Sequence, residues 1–111
     1  LASSAASDVY KRQTLKREQP FVMSVPAREA DPSYPEDETI LVQGIIDAWF
    51  PEGDEIVLVD YKTDRVKEAG ELKKRYEKQL AYYQQALERT TGKKVKEKII
   101  YSLALDEELV L

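Results

Sequence analysis

The chain has 111 residues, 42% of them hydrophobic and 34% charged, and its formal net charge is −4. This composition is typical of one small folded domain and argues against a protein that coats DNA non-specifically. The sequence contains no cysteine and no histidine. Disulfides, cysteine-ligated zinc, iron–sulfur clusters and histidine-based catalytic triads are therefore excluded. Catalysis would have to use carboxylates, lysine, tyrosine or hard metal ions, and the lack of cysteine is compatible with the reducing cytoplasm, where we expect the protein.

Residues 1–13, "LASSAASDVYKRQ", show no hydrophobic periodicity and no apolar core of signal-peptide length. The string "SSAASDVYKRQ" resembles a translated sequencing-adaptor tail. We therefore predict that residues 1–13 are not native and that residues 14–111 form a fragment of one domain. No apolar run approaches the roughly 20 residues of a membrane-spanning helix.

The first half of the remaining chain predicts three strands. A short strand at 21–25 is bounded by prolines, and the acidic, proline-containing stretch 28–38 predicts a loop. Residues 39–50 are rich in β-branched side chains and predict a long strand. The sequence "PEGD" at 51–54 predicts a four-residue turn, and 55–62 predicts the second strand of the hairpin.

The second half predicts a helix followed by a strand. From about residue 71 to 90, apolar side chains recur at spacings of three and four, with a glycine at position 92 for the C-terminal cap. The residues of this face are Leu72, Tyr76, Leu80, Tyr83 and Leu87. Residues 98–105 predict another strand, and 109–111 the start of one more.

This order predicts an α/β fold with a mixed sheet, strand–strand–strand–helix–strand, because a hairpin is followed by a helical crossover. Residues 45–48 and 56–59 carry apolar side chains at successive positions. We therefore expect a sheet that is covered on both faces. The helix for the second face is missing from this sequence, which is expected if it lies upstream.

Asp47 and Asp60 interrupt these apolar strands. If residues 51–54 close the hairpin symmetrically, Asp47 lies opposite Leu58 and Asp60 lies opposite Ile45. The two aspartates then share one face as diagonal neighbours, roughly 7–8 Å apart at the backbone, and Lys62 points the same way. A three- or five-residue loop would put the aspartates on opposite faces.

Two converging carboxylates suit Mg²⁺, which takes one or two carboxylates and completes its shell with water and phosphate oxygens. A neighbouring lysine can orient a water molecule and stabilise developing negative charge. On the helix, Gln79 and Tyr83 are four residues apart and share one side. Taken singly, these features have ordinary explanations, since an Asp–x–Lys at a strand end is usually a surface pair worth under about 1 kcal/mol.

The joint order of the motifs resembles the PD-(D/E)XK nuclease superfamily, in particular its RecB-like branch and the nuclease domain of AddA-type helicase–nuclease subunits. The resemblance covers about residues 15–111. It is carried by "REQPF" at 17–21, "VQGIIDAWF" at 42–50, "LVDYKTDRV" at 58–66, "RYEKQLAYYQQAL" at 75–87 and "KVKEKIIYSLAL" at 94–105.

The resemblance implies a restriction-endonuclease-like core and a Mg²⁺-dependent DNA exonuclease that processes double-strand breaks for recombinational repair. It also implies coupling to a helicase that binds ATP elsewhere in the parent protein. DNA and an AddB-type partner protein would be the partners.

The resemblance also assigns roles to residues. Asp47, Asp60 and the main-chain carbonyl of Tyr61 match metal ligands, and Lys62 matches a catalytic lysine. Gln79 and Tyr83 match a catalytic Gln–x–x–x–Tyr motif. Glu18 matches a recurring acidic position without a clear role.

One departure concerns an upstream helix, whose Gly–x–x–x–His or acidic motif helps to bind the metal in this family. This chain has neither, so we expect the isolated chain to bind metal weakly or not to cleave. Two alternatives stay open. The domain could be a catalytically inactive docking module for a partner protein or DNA, or an unrelated α/β domain whose charges form surface pairs.

Overall fold

The computed structural model describes residues 15–111, and the tail predicted to be non-native lies outside them. The described residues form a five-stranded mixed sheet in the order β1-β2-β3-β4-β5, with one long helix packed on it. The strands are β1 (Lys16–Pro26), β2 (Thr39–Glu52), β3 (Glu55–Lys62), β4 (Lys94–Ser102) and β5 (Glu107–Val110). The predicted α/β mixed sheet is confirmed. No helix within residues 15–111 is both long and apolar enough to cross a membrane.

β1 is longer than predicted and pairs antiparallel with β2 along nearly its whole length, from Lys16 opposite Trp49 to Pro26 opposite Thr39. The expectation that prolines bound this strand was wrong for Pro20, which lies inside it. β1 is an edge strand of the described sheet, where a missing N–H can be tolerated. The first residues of the predicted loop at 28–38 instead belong to one helical turn, α1 (Ala27–Ala30).

β2 and β3 form the predicted hairpin, but its turn has two residues instead of four. Glu52 lies opposite Glu55, so only Gly53 and Asp54 form the turn. Gly53 has a φ of 66°, a conformation that glycine adopts without steric cost. The predicted register was therefore wrong by two residues, and Trp49, not Asp47, lies opposite Leu58. A shift of two preserves the side-chain parity of a regular hairpin.

The helix α2 (Ala69–Thr91) connects β3 to β4, which lie parallel to each other. Gly92 has a φ of 71° and its N–H bonds to the carbonyl of Glu88 at 3.0 Å, so the predicted C-terminal cap is confirmed. β4 begins four residues earlier than the predicted strand at 98–105 and ends at Ser102. The register with β3 slips between Ile56 and Val57, a bulge that a simple alternation pattern does not reveal.

The main core lies between α2 and the sheet, and the predicted apolar face of the helix forms one side of this core. Its fully buried side chains include Val25, Ile46, Ile56, Leu58, Leu72, Leu80 and Ile100. A smaller cluster on the other face contains Phe50, Val57 and Ile99. On this other face Ile45 is 56% exposed, and Val22 and Leu41 nearby are also exposed, so the described residues leave part of it uncovered.

Candidate active site

The candidate site lies where β2 and β3 separate. Their ladder runs from the turn to Ala48 opposite Val59 and then stops. Beyond this point a side-chain hydrogen bond replaces the backbone ladder. Oδ2 of Asp47 accepts the N–H of Tyr61 at 3.0 Å. This bond fixes Asp47 to β3, and the bonded amide belongs to the residue directly after Asp60.

An irregularity in β2 accompanies this arrangement. Up to Ile46, the even-numbered side chains of β2 belong to the core under α2, whereas beyond it the odd-numbered Trp49 packs there and Phe50 joins the other face. The β1–β2 pairing skips Asp47, and Glu18, which would lie opposite, has a φ of 51°. Side-chain alternation therefore changes phase at Asp47, at the position where its carboxylate turns toward β3.

Asp60 is the most deeply buried charged residue of the site, with 1% of its surface exposed. It lies on β3 beside Ile100 of β4, in the face covered by α2. Burial raises the pKa of Asp60 to about 6 from 3.8, the nearby Lys62 opposes that rise, and Asp47 adds to it. At neutral pH most of this carboxyl is therefore ionised, and its burial leaves the charge poorly solvated.

Lys62 joins the strand to the helix through its ammonium group. Its Nζ lies 2.8 Å from Oδ2 of Asp60 and donates a hydrogen bond of 2.8 Å to Oε1 of Gln79. The ammonium also lies 4.0 Å from the ring centroid of Tyr76, a cation–π contact. The structure thus brings Asp47, Asp60, Lys62 and Gln79 together.

Tyr83 closes the site from the helix one turn after Gln79. Its ring packs edge-on against Phe21 with centroids 5.5 Å apart. Gly44 permits this approach, because a Cβ there would lie 3.2 Å from the Phe21 ring and 3.5 Å from the Tyr83 ring. Burial raises the pKa of Tyr83, and the charges of Asp60 and Asp47 raise it further. The phenol therefore stays protonated beside the acidic pair.

Sequence reasoning missed a second set of contacts that begins at Tyr76, which it treated as packing alone. The Tyr76 hydroxyl donates to Oδ2 of Asp64 at 2.7 Å, and Nη1 of Arg75 donates to the same oxygen at 2.7 Å. These bonds lower the pKa of Asp64. The signal was present in the sequence, since Tyr76, Gln79 and Tyr83 follow one another at helical spacings of three and four.

Comparison with known proteins agrees with this geometry. Residues 2–109 match the family model described as the PD-(D/E)XK nuclease superfamily. The chain belongs to this superfamily. That result removes the alternative of an unrelated α/β domain whose charges form surface pairs, and it confirms the restriction-endonuclease-like fold predicted from the motifs.

Three relatives are named as subunits of an ATP-dependent helicase/nuclease. One from Clostridium botulinum (strain Loch Maree / Type A3) is 48% identical over 96 residues, which cover 83% of this chain. Another, from Clostridium botulinum (strain Hall / ATCC 3502 / NCTC 13319 / Type A), is 42% identical over 102 residues, or 88% of the chain. A third, from Clostridium kluyveri, is 44% identical over 100 residues, or 86% of the chain.

These matches confirm the predicted resemblance to AddA-type proteins within the PD-(D/E)XK superfamily. The chain spans about 8% of the length of each of these relatives. The match therefore concerns a small part of each relative.

The donor set of this PD-(D/E)XK domain fits a hard divalent cation. Within residues 15–111 no group of three His, Cys, Asp or Glu side chains could hold a metal ion, but two carboxylates converge. Oδ2 of Asp60 is buried and accepts no well-aligned hydrogen bond from described residues, although the Lys62 ammonium lies beside it. Mg²⁺ needs only one or two protein carboxylates when water and phosphate supply the other oxygens. The ligand roles of Asp47, Asp60 and the Tyr61 carbonyl stay predictions.

Proposed function

We propose that this chain is the Mg²⁺-dependent DNA exonuclease domain of an ATP-dependent helicase–nuclease that processes double-strand breaks for recombinational repair. The observation that supports this most is the convergence of Asp47, Asp60 and Lys62 at the open end of the β2–β3 hairpin. These are the residue types that phosphodiester hydrolysis needs, in a chain that has no histidine or cysteine.

Asp47 and Asp60 would hold the metal ion together with the main-chain carbonyl of Tyr61. When bound, Mg²⁺ acidifies the attacking water and neutralises charge that develops on the phosphate. The burial of Asp60 supports this role, because an ion bound there replaces the solvation that its carboxylate has lost.

Lys62 of β3 acts on the reacting groups, and Gln79 of α2 holds the Lys62 ammonium. The Lys62 ammonium orients the attacking water and stabilises the negative phosphate oxygens. Gln79 accepts a hydrogen bond from this ammonium at 2.8 Å, and this bond keeps the ammonium in the site. Tyr83 stays a neutral hydrogen-bond donor beside the acids, since its pKa is raised.

The names of the relatives support the wider context. Because a helicase/nuclease acts on DNA, we propose DNA as the substrate, an AddB-type protein as the partner, and ATP binding in a helicase part outside this chain. The cytoplasm is the proposed location, because the chromosome of bacteria such as Clostridium lies there.

The test uses the protein expressed from its complete reading frame, incubated with end-labelled linear single-stranded DNA. We expect Mg²⁺-dependent release of short products, which EDTA abolishes, and little cleavage of circular single-stranded DNA if the enzyme requires an end. Asp60→Asn and Lys62→Ala should each lower the rate by at least about 100-fold, since each removes a group that acts on the transition state.

Lys96→Ala serves as the matched control. Lys96 also forms an ion pair with a carboxylate, Glu52, but at the exposed turn end of the hairpin, so its removal should leave cleavage unchanged. Full cleavage by Asp60→Asn or Lys62→Ala would reject the proposal. Binding of DNA without any Mg²⁺-dependent cleavage by the wild-type protein would instead favour the inactive docking module.

A further inference from the structure

The ammonium of Lys62 is enclosed by three protein groups. An ammonium has three N–H donors, and here the neighbours are Oδ2 of Asp60 at 2.8 Å, Oε1 of Gln79 at 2.8 Å and the ring of Tyr76 at 4.0 Å from its centroid. Only 14% of the Lys62 side chain is exposed. The position of the ammonium is thus determined by protein contacts and not by solvent.

The Tyr76 ring is itself fixed at both ends. Its body packs against the core beneath α2, and its hydroxyl donates to Oδ2 of Asp64 at 2.7 Å. The guanidinium of Arg75 holds the same carboxylate oxygen at 2.7 Å. Asp64 lies two residues after Lys62, so this bond also fastens the chain that follows β3 onto the helix.

The three contacts of Lys62 differ in what they require. The contact with Asp60 uses a carboxylate that would also hold a bound cation, so the ammonium and the cation would compete for it. The contacts with Gln79 and Tyr76 come from the helix and do not depend on Asp60. They are the contacts that can hold the ammonium in place once Asp60 serves another ligand.

We propose, on the basis of the function proposed above, that Tyr76 is a positioning residue that holds the Lys62 ammonium in the site through its ring face. The hydroxyl bond to Asp64 adds to the core packing that holds this ring in place. The chemical requirement is an aromatic face at position 76, which a core-packing role alone would not impose. A large aliphatic side chain would fill the space but would offer no negative ring face to a cation.

The first measurement reads the contact without metal or substrate. In ¹H NMR spectra of the 111-residue chain in EDTA, the ε-methylene protons of Lys62 should be shifted upfield by the ring current of Tyr76, with Lys62→Ala providing the assignment. We expect Tyr76→Phe to keep this shift and Tyr76→Leu to abolish it. Tyr82→Leu is the matched control, because Tyr82 is another half-buried tyrosine of α2 that packs against the core, and it should keep the shift.

The second measurement reads the consequence for cleavage by the protein from its complete reading frame. Tyr76→Leu should lower kcat for linear single-stranded DNA by about tenfold or more and leave KM within about twofold, because a displaced catalytic group affects the chemical step and not DNA binding. Tyr76→Phe should stay within about threefold of wild type, since it keeps the ring face. Tyr82→Leu should cleave like wild type.

The outcomes separate the two proposals. If wild type cleaves, Lys62→Ala does not, and Tyr76→Leu cleaves at the wild-type rate, the positioning role is overturned and the nuclease assignment stands. Equal loss of kcat in Tyr76→Phe and Tyr76→Leu would also overturn it, since the ring face would then not be what matters. If Lys62→Ala cleaves normally, the nuclease mechanism itself fails, and the positioning role falls with it even where the NMR contact persists.

Discussion

The two ends of the β2–β3 hairpin each carry a carboxylate paired with a lysine, and the pairs differ in burial much more than in distance. At the open end, Lys62 Nζ is 2.8 Å from Asp60 Oδ2, whose side chain is 2% exposed. At the turn end, Lys96 Nζ is 2.6 Å from Glu52 Oε1, whose side chain is 47% exposed. Similar ion pairs can therefore have very different consequences within one hairpin.

The pKa shifts at the two ends differ because the burial of the two pairs differs. At the open end, loss of solvent raises the pKa of Asp60 to about 6 in spite of Lys62. At the turn end, water still surrounds the charges, and Glu52 raises the pKa of Lys96 as its principal partner. An exposed pair is a minor surface feature, whereas the buried one retains an unfavourable charge that a ligand can relieve.

The largest expected difference between the two ends comes from neutralising each carboxylate in the metal-free chain. Asp60→Asn should raise the free energy of unfolding at pH 7.5 by about 1–3 kcal/mol, because the pKa difference between about 6 and 3.8 corresponds to at most about 3 kcal/mol. Glu52→Gln should leave it unchanged. Thermal or urea unfolding in EDTA measures both, and a destabilised Asp60→Asn would contradict the comparison.

The same charge predicts a pH dependence of stability. Asp60 has a higher pKa folded than unfolded, so the folded state binds the proton more tightly. Its contribution to stability is fully present below about pH 3.8 and is lost as the pH rises through about 6. Wild type should therefore gain up to about 3 kcal/mol relative to Asp60→Asn between pH 7.5 and pH 4.

Urea unfolding of wild type and Asp60→Asn at several pH values isolates this effect, since the contributions of groups far from Asp60 cancel in the difference. The lowered pKa of Asp64 acts in the opposite direction but mainly near and below its ordinary value, and it cancels in the difference. A difference that does not vary with pH would show that Asp60 keeps an ordinary pKa in the folded chain.

The smallest expected effect comes from removing each lysine. Lys62→Met should lower stability by about 1–2 kcal/mol at pH 8 and by less at pH 5, because the carboxylate of Asp60 loses its counter-charge and then protonates. Lys96→Met should have no measurable effect at either pH. Chemical denaturation of both variants at both pH values checks the contrast, and equal losses would mean that burial does not distinguish the two pairs.

Much of this arrangement could be predicted because local patterns carry it. Strand β3 and helix α2 were predicted to within two residues, since each has a strong period and a clear boundary such as Gly92. Asp47, Asp60 and Lys62 were singled out because charge within apolar strands is costly. Placing the two aspartates on one face did not require the correct register. It required only the correct alternation of side chains in the part of the hairpin that pairs regularly.

Other features could not be predicted from those patterns. Pro51 and Glu52 resemble turn residues, yet the sheet extends its ladder to include them and shifts the register by two. The phase change at Asp47 depends on the pairing of β2 with both β1 and β3. Tyr76 fits the apolar pattern of the helix. Its contact with Lys62 depends on how the helix packs on the sheet, which that pattern does not give.

The motifs carried the resemblance to the superfamily, and the sequence by itself determined which segments form the main strands and the long helix and which charges stand among apolar residues. These depend on side-chain periodicity and residue type, which are local properties. Only the tertiary structure decided that Asp60 is buried, that Asp47 reaches the Tyr61 amide, and that Tyr76 lies over the Lys62 ammonium. Those properties arise from elements far apart in the chain, where a shift of one residue or one helical turn changes every contact.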